Sequence, residues 1–137
     1  MDHKLNKDEK LCSRTAVNLL FAEGQSLMAF PLRAAYRLRP RGEHPVQFLI
    51  TIPKKRVRKA VNRVTLRRRV REAYRLNRRE LLTPVLESQD YGVDIAFVYL
   101  DNVPAPYGVI QEKMISLLTR IAQAATEQTQ NQQELNA

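Results

Sequence analysis

Lys54 to Arg79 reads KKRVRKAVNRVTLRRRVREAYRLNRR, and it holds 13 of the chain's 23 Lys and Arg residues against a single acid, Glu72. Its net charge is +12, whereas the whole 137-residue chain carries +9, so the other 111 residues sum to −3. The basicity belongs to one segment and is not a property of the protein at large.

Helical spacing gives that segment two sides. At 100° per residue, Leu66, Val70, Ala73, Tyr74 and Leu81 share an arc of about 100°, the width of a core-facing stripe. Arg67, Arg68, Arg71, Arg75, Arg78 and Arg79 fall on the other side, with Arg67, Arg71, Arg75 and Arg79 in a strict i, i+4 ladder. Such like-charge pairs cost roughly 0.2–0.5 kcal/mol each in an isolated helix. A helix made only to be soluble would intersperse Glu with Lys, so the counter-charge is expected from a partner. The bias to arginine points to phosphate, which a guanidinium fork grips with two hydrogen bonds. Nucleic acid is the partner class that follows. A membrane-surface helix would need its apolar side free, and the strands flanking this one require cover.

The rest of the composition bounds the class. With 44% apolar residues and four glycines, the chain is long enough for one domain with its own core. A single cysteine, Cys12, excludes an internal disulfide and fits a reducing, cytoplasmic setting. MDHKLNKDEK at the N-terminus has no apolar signal region, and no apolar run nears the ~20 residues that span a bilayer. The expected organisation is a flexible leader over residues 1–9, one RNA-binding domain over 10–125 and a disordered, Gln-rich tail over 126–137.

Working outward, Ser13 or Thr15 is expected to cap a short helix through Ala16, Val17, Leu19, Leu20 and Phe21 that ends at Gly24. Leu32, Ala34, Tyr36 and Leu38 alternate with Arg33, Ala35, Arg37 and Arg39, a strand with one apolar and one largely basic face. After the breakers Pro40 to Pro45, Val46, Phe48, Ile50 and Ile52 form a return strand expected to pair with the first as a hairpin. Pro53 ends it, and the basic helix is expected to start near Asn62. Beyond Thr83 and Pro84 and the spacer ESQDYG, Val93 to Leu100 (VDIAFVYL) is apolar on nearly both faces, as a central strand would be. Strand, basic helix, strand is then a crossover unit with parallel pairing. A last amphipathic helix runs through Tyr107, Ile110, Met114, Leu117, Leu118, Ile121 and Ala125. The fold class is α+β: an α/β sandwich in the order helix, strand, strand, basic helix, strand, helix around a small mixed sheet.

No catalytic or metal-ligating set emerges. His3 lies in the leader and His44 in a turn, the glycines are scattered, and a lone cysteine makes no Cys/His metal site. Asp90, Asp94 and Asp101 are too dispersed to read as a two-metal nuclease centre. The chain reads as a binder, with no small-molecule substrate and no membrane partner.

The segment KKRVRKAVNRVTLRRRVREAYR, with a strand before it and VDIAFVYL after it, resembles the protein subunit of bacterial ribonuclease P. Lys54, Lys55, Ala60, Val61, Arg63, Arg67, Arg68, Arg71 and Glu72 match that family's motif, while Val64 and Thr65 replace the Asn and second Arg of its Arg-Asn-Arg. Val17 stands where many members of the family have an aromatic. The resemblance implies a cytoplasmic ribonucleoprotein endonuclease that removes the 5′ leader of precursor tRNA. It also implies that the catalytic groups and their Mg2+ belong to the RNA subunit, and that the crossover is left-handed against the usual rule. By the same resemblance Lys54, Lys55, Arg63, Arg67, Arg68 and Arg71 would bind the catalytic RNA, and Arg75, on the same basic helix face, is expected to join them. Phe21, Tyr36 and Phe48 would line the cleft for the single-stranded leader, with Arg33 and Arg37 as contacts if the opposite strand face is the open one. Competing readings are a DNA-binding module and a ribosome- or tRNA-associated assembly factor. A helix face of nearly pure arginine suits phosphates better than base edges, and leader cleavage separates the assembly factor from the nuclease subunit.

Overall fold

The apolar run before Leu100 and the alternating run from Leu32 set the centre of the fold. The computed structural model describes residues 9–11, 13–40, 45–87 and 91–135. Its elements are α1 (Arg14–Glu23), β1 (Gln25–Ala29), β2 (Leu32–Pro40), β3 (Val46–Thr51), α2 (Ala60–Leu81), α3 (Thr83–Glu87), β4 (Tyr91–Tyr99) and α4 (Tyr107–Leu135). Residues 1–8 of the leader, including His3, lie outside the described residues. So do Cys12, turn residues 41–44 with His44, spacer residues 88–90 with Asp90, and residues 136–137.

The strands form one sheet in the order β1-β2-β4-β3. β3 and β4 pair in parallel through the α2–α3 crossover, as the apolar character of β4 implied. The expected β2–β3 hairpin is not formed, because β4 lies between them. β4 is buried on both faces and needs a neighbour on each side; β2 supplies one in an antiparallel register from Leu32↔Tyr99 to Pro40↔Tyr91. The sequence reading also missed β1, a five-residue strand without apolar alternation that pairs with β2 at the sheet's edge. At the opposite edge, Lys10 bridges Phe48 and the Leu11 amide donates to the Phe48 carbonyl at 2.8 Å, so the N-terminal segment covers β3.

Helices α2 and α4 cover one face of the sheet. Leu66, Val70, Ala73 and Tyr74 of α2 and Ile110, Met114, Leu117, Leu118 and Ile121 of α4 bury fully against Leu32, Ala34, Ile95, Phe97 and Tyr99. Tyr74 stacks on Phe48 with ring centroids 4.3 Å apart and meets Phe97 at 5.5 Å. On the other face α1 seats Leu20 over Ala35 and Ala96, with Leu11, Ala16, Val17 and Leu49 around it. The two alanines are register partners, and their small side chains let α1 approach the strands closely.

Local chemistry sets the helix ends. Ser13 caps α1, its Oγ accepting from the Ala16 amide at 3.3 Å. α1 ends at Gly24, a position where a Cβ would collide with the carbonyls of Leu20 and Tyr36. α2 starts at Ala60, ahead of the expected Asn62, and its cap residue Lys59 gives no side-chain hydrogen bond. Arg63 instead turns back and donates to the carbonyls of Val57 (3.0 Å) and Arg58 (2.7 Å), tying the basic loop to the helix it precedes. The expectation of a disordered tail from Thr126 is corrected, since α4 continues to Leu135. Gln, Glu and Ala are good helix formers, and extending a helix already nucleated against the core adds one hydrogen bond per residue. Among the described residues no helix is long and apolar enough to cross a membrane.

Candidate nucleic-acid interface

α2 faces the core with its apolar stripe, so its arginines must go elsewhere, and they divide by task. Arg67, Arg68 and Arg71 are exposed and make no hydrogen bond or salt bridge within the described residues. Lys54 and Lys55 are exposed in the loop before α2, together with Arg56, Arg58 and Lys59. The loop is held by Val57, which is 2% exposed and whose amide donates to the Pro53 carbonyl at 3.1 Å. Lys55, Arg56, Arg58, Lys59 and Asn62 line one depression with Asn102.

The other cations have structural partners. Arg63 binds the loop carbonyls already described. Arg75 forks onto Glu72, Nε to Oε2 at 3.0 Å and Nη2 to Oε1 at 2.5 Å. This hydrogen bond holds the Glu72 carboxyl below the usual range. Arg69 donates to the Ala105 carbonyl at 2.6 Å and so pins the connection between β4 and α4. Arg78, placed on the basic face by helical angle, is buried instead. Its Nε meets Glu9 Oε1 at 2.7 Å and its guanidinium lies over the Tyr74 ring at 6.0 Å. A buried guanidinium is tolerable because it is paired and hydrogen-bonded.

The cleft assignment needs a correction. Tyr36 and Phe48 both lie in the core beneath α2 and α4, 6% and 7% exposed. Strand alternation sends Leu32, Ala34, Tyr36 and Leu38 to one face, and the large apolar area of that set is what α2 and α4 cover. Burial raises the Tyr36 hydroxyl pKa, and the Glu127 charge adds to the effect. Phe21 is 50% exposed on α1. The open ground is the opposite strand face, where Arg33 and Arg37 project.

Among the described residues, α1 and Leu11 cover the middle of that face. On one flank Arg37 meets Glu23 at 3.5 Å, and Arg39 holds the buried Asp94 at 2.9 Å. On the other flank the register aligns Met28, Arg33, Val98 and Thr51 in one row across all four strands. Met28 is 54% exposed, and the Arg33 Nε is buried with no hydrogen-bond partner among the described residues. The row ends at Thr51, two residues from Pro53 and the Lys54–Lys55 pair. Sequence reasoning missed Met28, Val98 and Thr51, because the row exists only through the strand register. The side-chain alternation of β2 was the one signal available for it.

An arginine helix laid across a four-stranded mixed sheet, with a second helix on the far face, is the arrangement to compare with known proteins. The family model described as Ribonuclease P matches residues 5–122. The chain belongs to the ribonuclease P protein family. The ribonuclease P protein component of Porphyromonas gingivalis strain W83 is 39% identical over 121 residues, covering 86% of each chain. The solved ribonuclease P protein of Thermotoga maritima superposes with a TM-score of 0.62 at 27% identity, over 82% of this chain and 96% of that one. The Staphylococcus aureus ribonuclease P protein, at 15% identity and a TM-score of 0.61 over 83% and 94% of the two chains, shares the fold. Within this ribonuclease P protein the matched residues take in the whole basic loop, α2 and every strand.

Proposed function

We propose that this chain is the RNA-binding subunit of a cytoplasmic ribonuclease P, the ribonucleoprotein that removes the 5′ leader of precursor tRNA. The catalytic RNA lies along the outer side of α2, where Lys54, Lys55, Arg67, Arg68 and Arg71 meet its phosphates. Arg63 and Arg75 act at one remove, by shaping the loop and by holding Glu72 away from that surface. The single-stranded leader crosses the open flank of the sheet beside α1. Phe21, turned about 200° from Glu23 around the helix axis, borders that flank and offers a ring for a base to stack on. Arg33 takes a leader phosphate, and the row from Met28 to Thr51 leads the strand toward Lys54 and Lys55.

The observation that carries this reading is the division of the cations. Arg63, Arg69, Arg75 and Arg78 are bound to carbonyls and carboxylates of the protein, whereas Arg67, Arg68 and Arg71 are exposed and make no hydrogen bond or salt bridge within the described residues. Catalysis and Mg2+ fall to the RNA. The chain's own Asp94 is buried against Arg39, and the described residues hold no cluster of three His, Cys, Asp or Glu suited to a metal.

The leader assignment has a direct test in the reconstituted holoenzyme. Arg33→Ala is expected to weaken precursor tRNA by about tenfold, the worth of one charge-assisted contact, and to leave mature tRNA unchanged. Tyr36→Phe, in the core, is expected to leave the ratio of the two affinities as it was. Equal losses for both substrates in Arg33→Ala would remove Arg33 from the leader path.

A further inference from the structure

The outer side of α2 changes character along its length. From Arg67 onward it is cationic, but the two turns before Arg67 present Ala60, Val61 and Val64, with Val61 68% and Val64 45% exposed. Val61, Val64, Arg68 and Arg71 are spaced three, four and three residues apart, so they share one helix face. The polar side chains beside the valines are engaged or lie off this face: Asn62, about 100° from Val61 around the helix, lines the depression with Lys55 and Lys59. Thr65 Oγ1 donates to the Val61 carbonyl at 3.0 Å, and the Arg63 guanidinium is occupied by the carbonyls of Val57 and Arg58. This face therefore offers no side-chain donor between Lys59 and Arg67.

A single exposed valine is ordinary. Two β-branched residues one turn apart, inside a face otherwise made of cations and at some cost in helix propensity, are not suited to a phosphate backbone. An apolar patch that runs into cations suits a nucleotide whose base has left the stack, because the base face is apolar and the phosphates beside it are charged. RNA bulges and loops supply such bases. Resting on the reading that α2 binds the catalytic RNA, we propose that Val61 and Val64 form a seat for one unstacked nucleobase of that RNA. Arg68, one turn on along the same face, takes an adjoining phosphate.

The test is the affinity of the full chain for its catalytic RNA as a function of salt, for Val64→Ala, Val64→Asn and Arg68→Ala. Alanine favours helix more than valine does, so Val64→Ala preserves α2, and circular dichroism checks it. Both Val64 variants are expected to bind about fivefold more weakly, because less apolar area leaves water when the base docks, with the slope of log affinity against log salt unchanged. Arg68→Ala should flatten that slope by roughly 0.7–0.9. Unchanged or tighter binding by either Val64 variant, with the Arg68→Ala slope flattened, would overturn the base seat and leave α2 as a phosphate binder. An Arg68→Ala slope equal to that of the parent would instead overturn the RNA-binding reading of α2.

Discussion

Replacing Arg67, Arg68 and Arg71 together by alanine is expected to lower affinity for the catalytic RNA about a thousandfold at low salt, at roughly 1.5 kcal/mol for each charge-assisted contact. The same variant should flatten the log–log salt dependence by roughly two to three units, since each phosphate left unneutralised removes about 0.7–0.9. All three side chains are exposed and make no hydrogen bond or salt bridge within the described residues, so the fold should survive, and alanine relieves the like-charge ladder. Filter binding or fluorescence titration across a salt series measures both quantities. A large loss of affinity at constant slope would mean that the three arginines act on something other than phosphate. Arg78→Ala would behave differently, because that side chain is buried on Glu9 and its loss appears in stability.

Tyr74→Ala is expected to destabilise the protein by about 3–5 kcal/mol, the usual cost of removing a large buried aromatic. Against a total of about 5–15 kcal/mol for a typical domain, this is enough to leave a substantial fraction unfolded. The ring is fully buried between Phe48, Phe97 and the Arg78 guanidinium, so its removal opens a cavity where α2, β3 and β4 meet. Tyr74→Phe should be tolerated, because the Tyr74 hydroxyl is buried without a hydrogen-bond partner among the described residues. Urea denaturation compares the two variants. Equal and small losses would show that the Phe48–Tyr74 stack is not central to the core.

Much of this was legible in the sequence because it depends on short-range periodicity. The stripe Leu66, Val70, Ala73, Tyr74 is read at helical spacing, and all four residues are fully buried. VDIAFVYL announces a strand covered on both sides, and the structure places it at the sheet's centre. What the sequence does not hold is pairing at a distance. Arg78 sits at an angle near Arg67, and its burial goes with Glu9, 69 residues earlier in the chain, and with the Tyr74 ring beneath it. The β2–β3 hairpin was expected because chain neighbours usually pair, yet a strand as apolar as β4 needs two neighbours and takes β2 from β3. Family likeness points Tyr36 to the cleft, although alternation alone groups it with Leu32, Ala34 and Leu38 on the more apolar face. Apolar area goes to the larger helical layer, which leaves Arg33 and its row for a ligand.

The most direct test of the central claim is cleavage of a 5′-leader precursor tRNA by a bacterial ribonuclease P RNA at low magnesium, with and without this chain. RNA-dependent cleavage that the protein restores, and that the Arg67, Arg68 and Arg71 triple variant fails to restore, is the predicted result. RNA binding without any restored cleavage would contradict the subunit role.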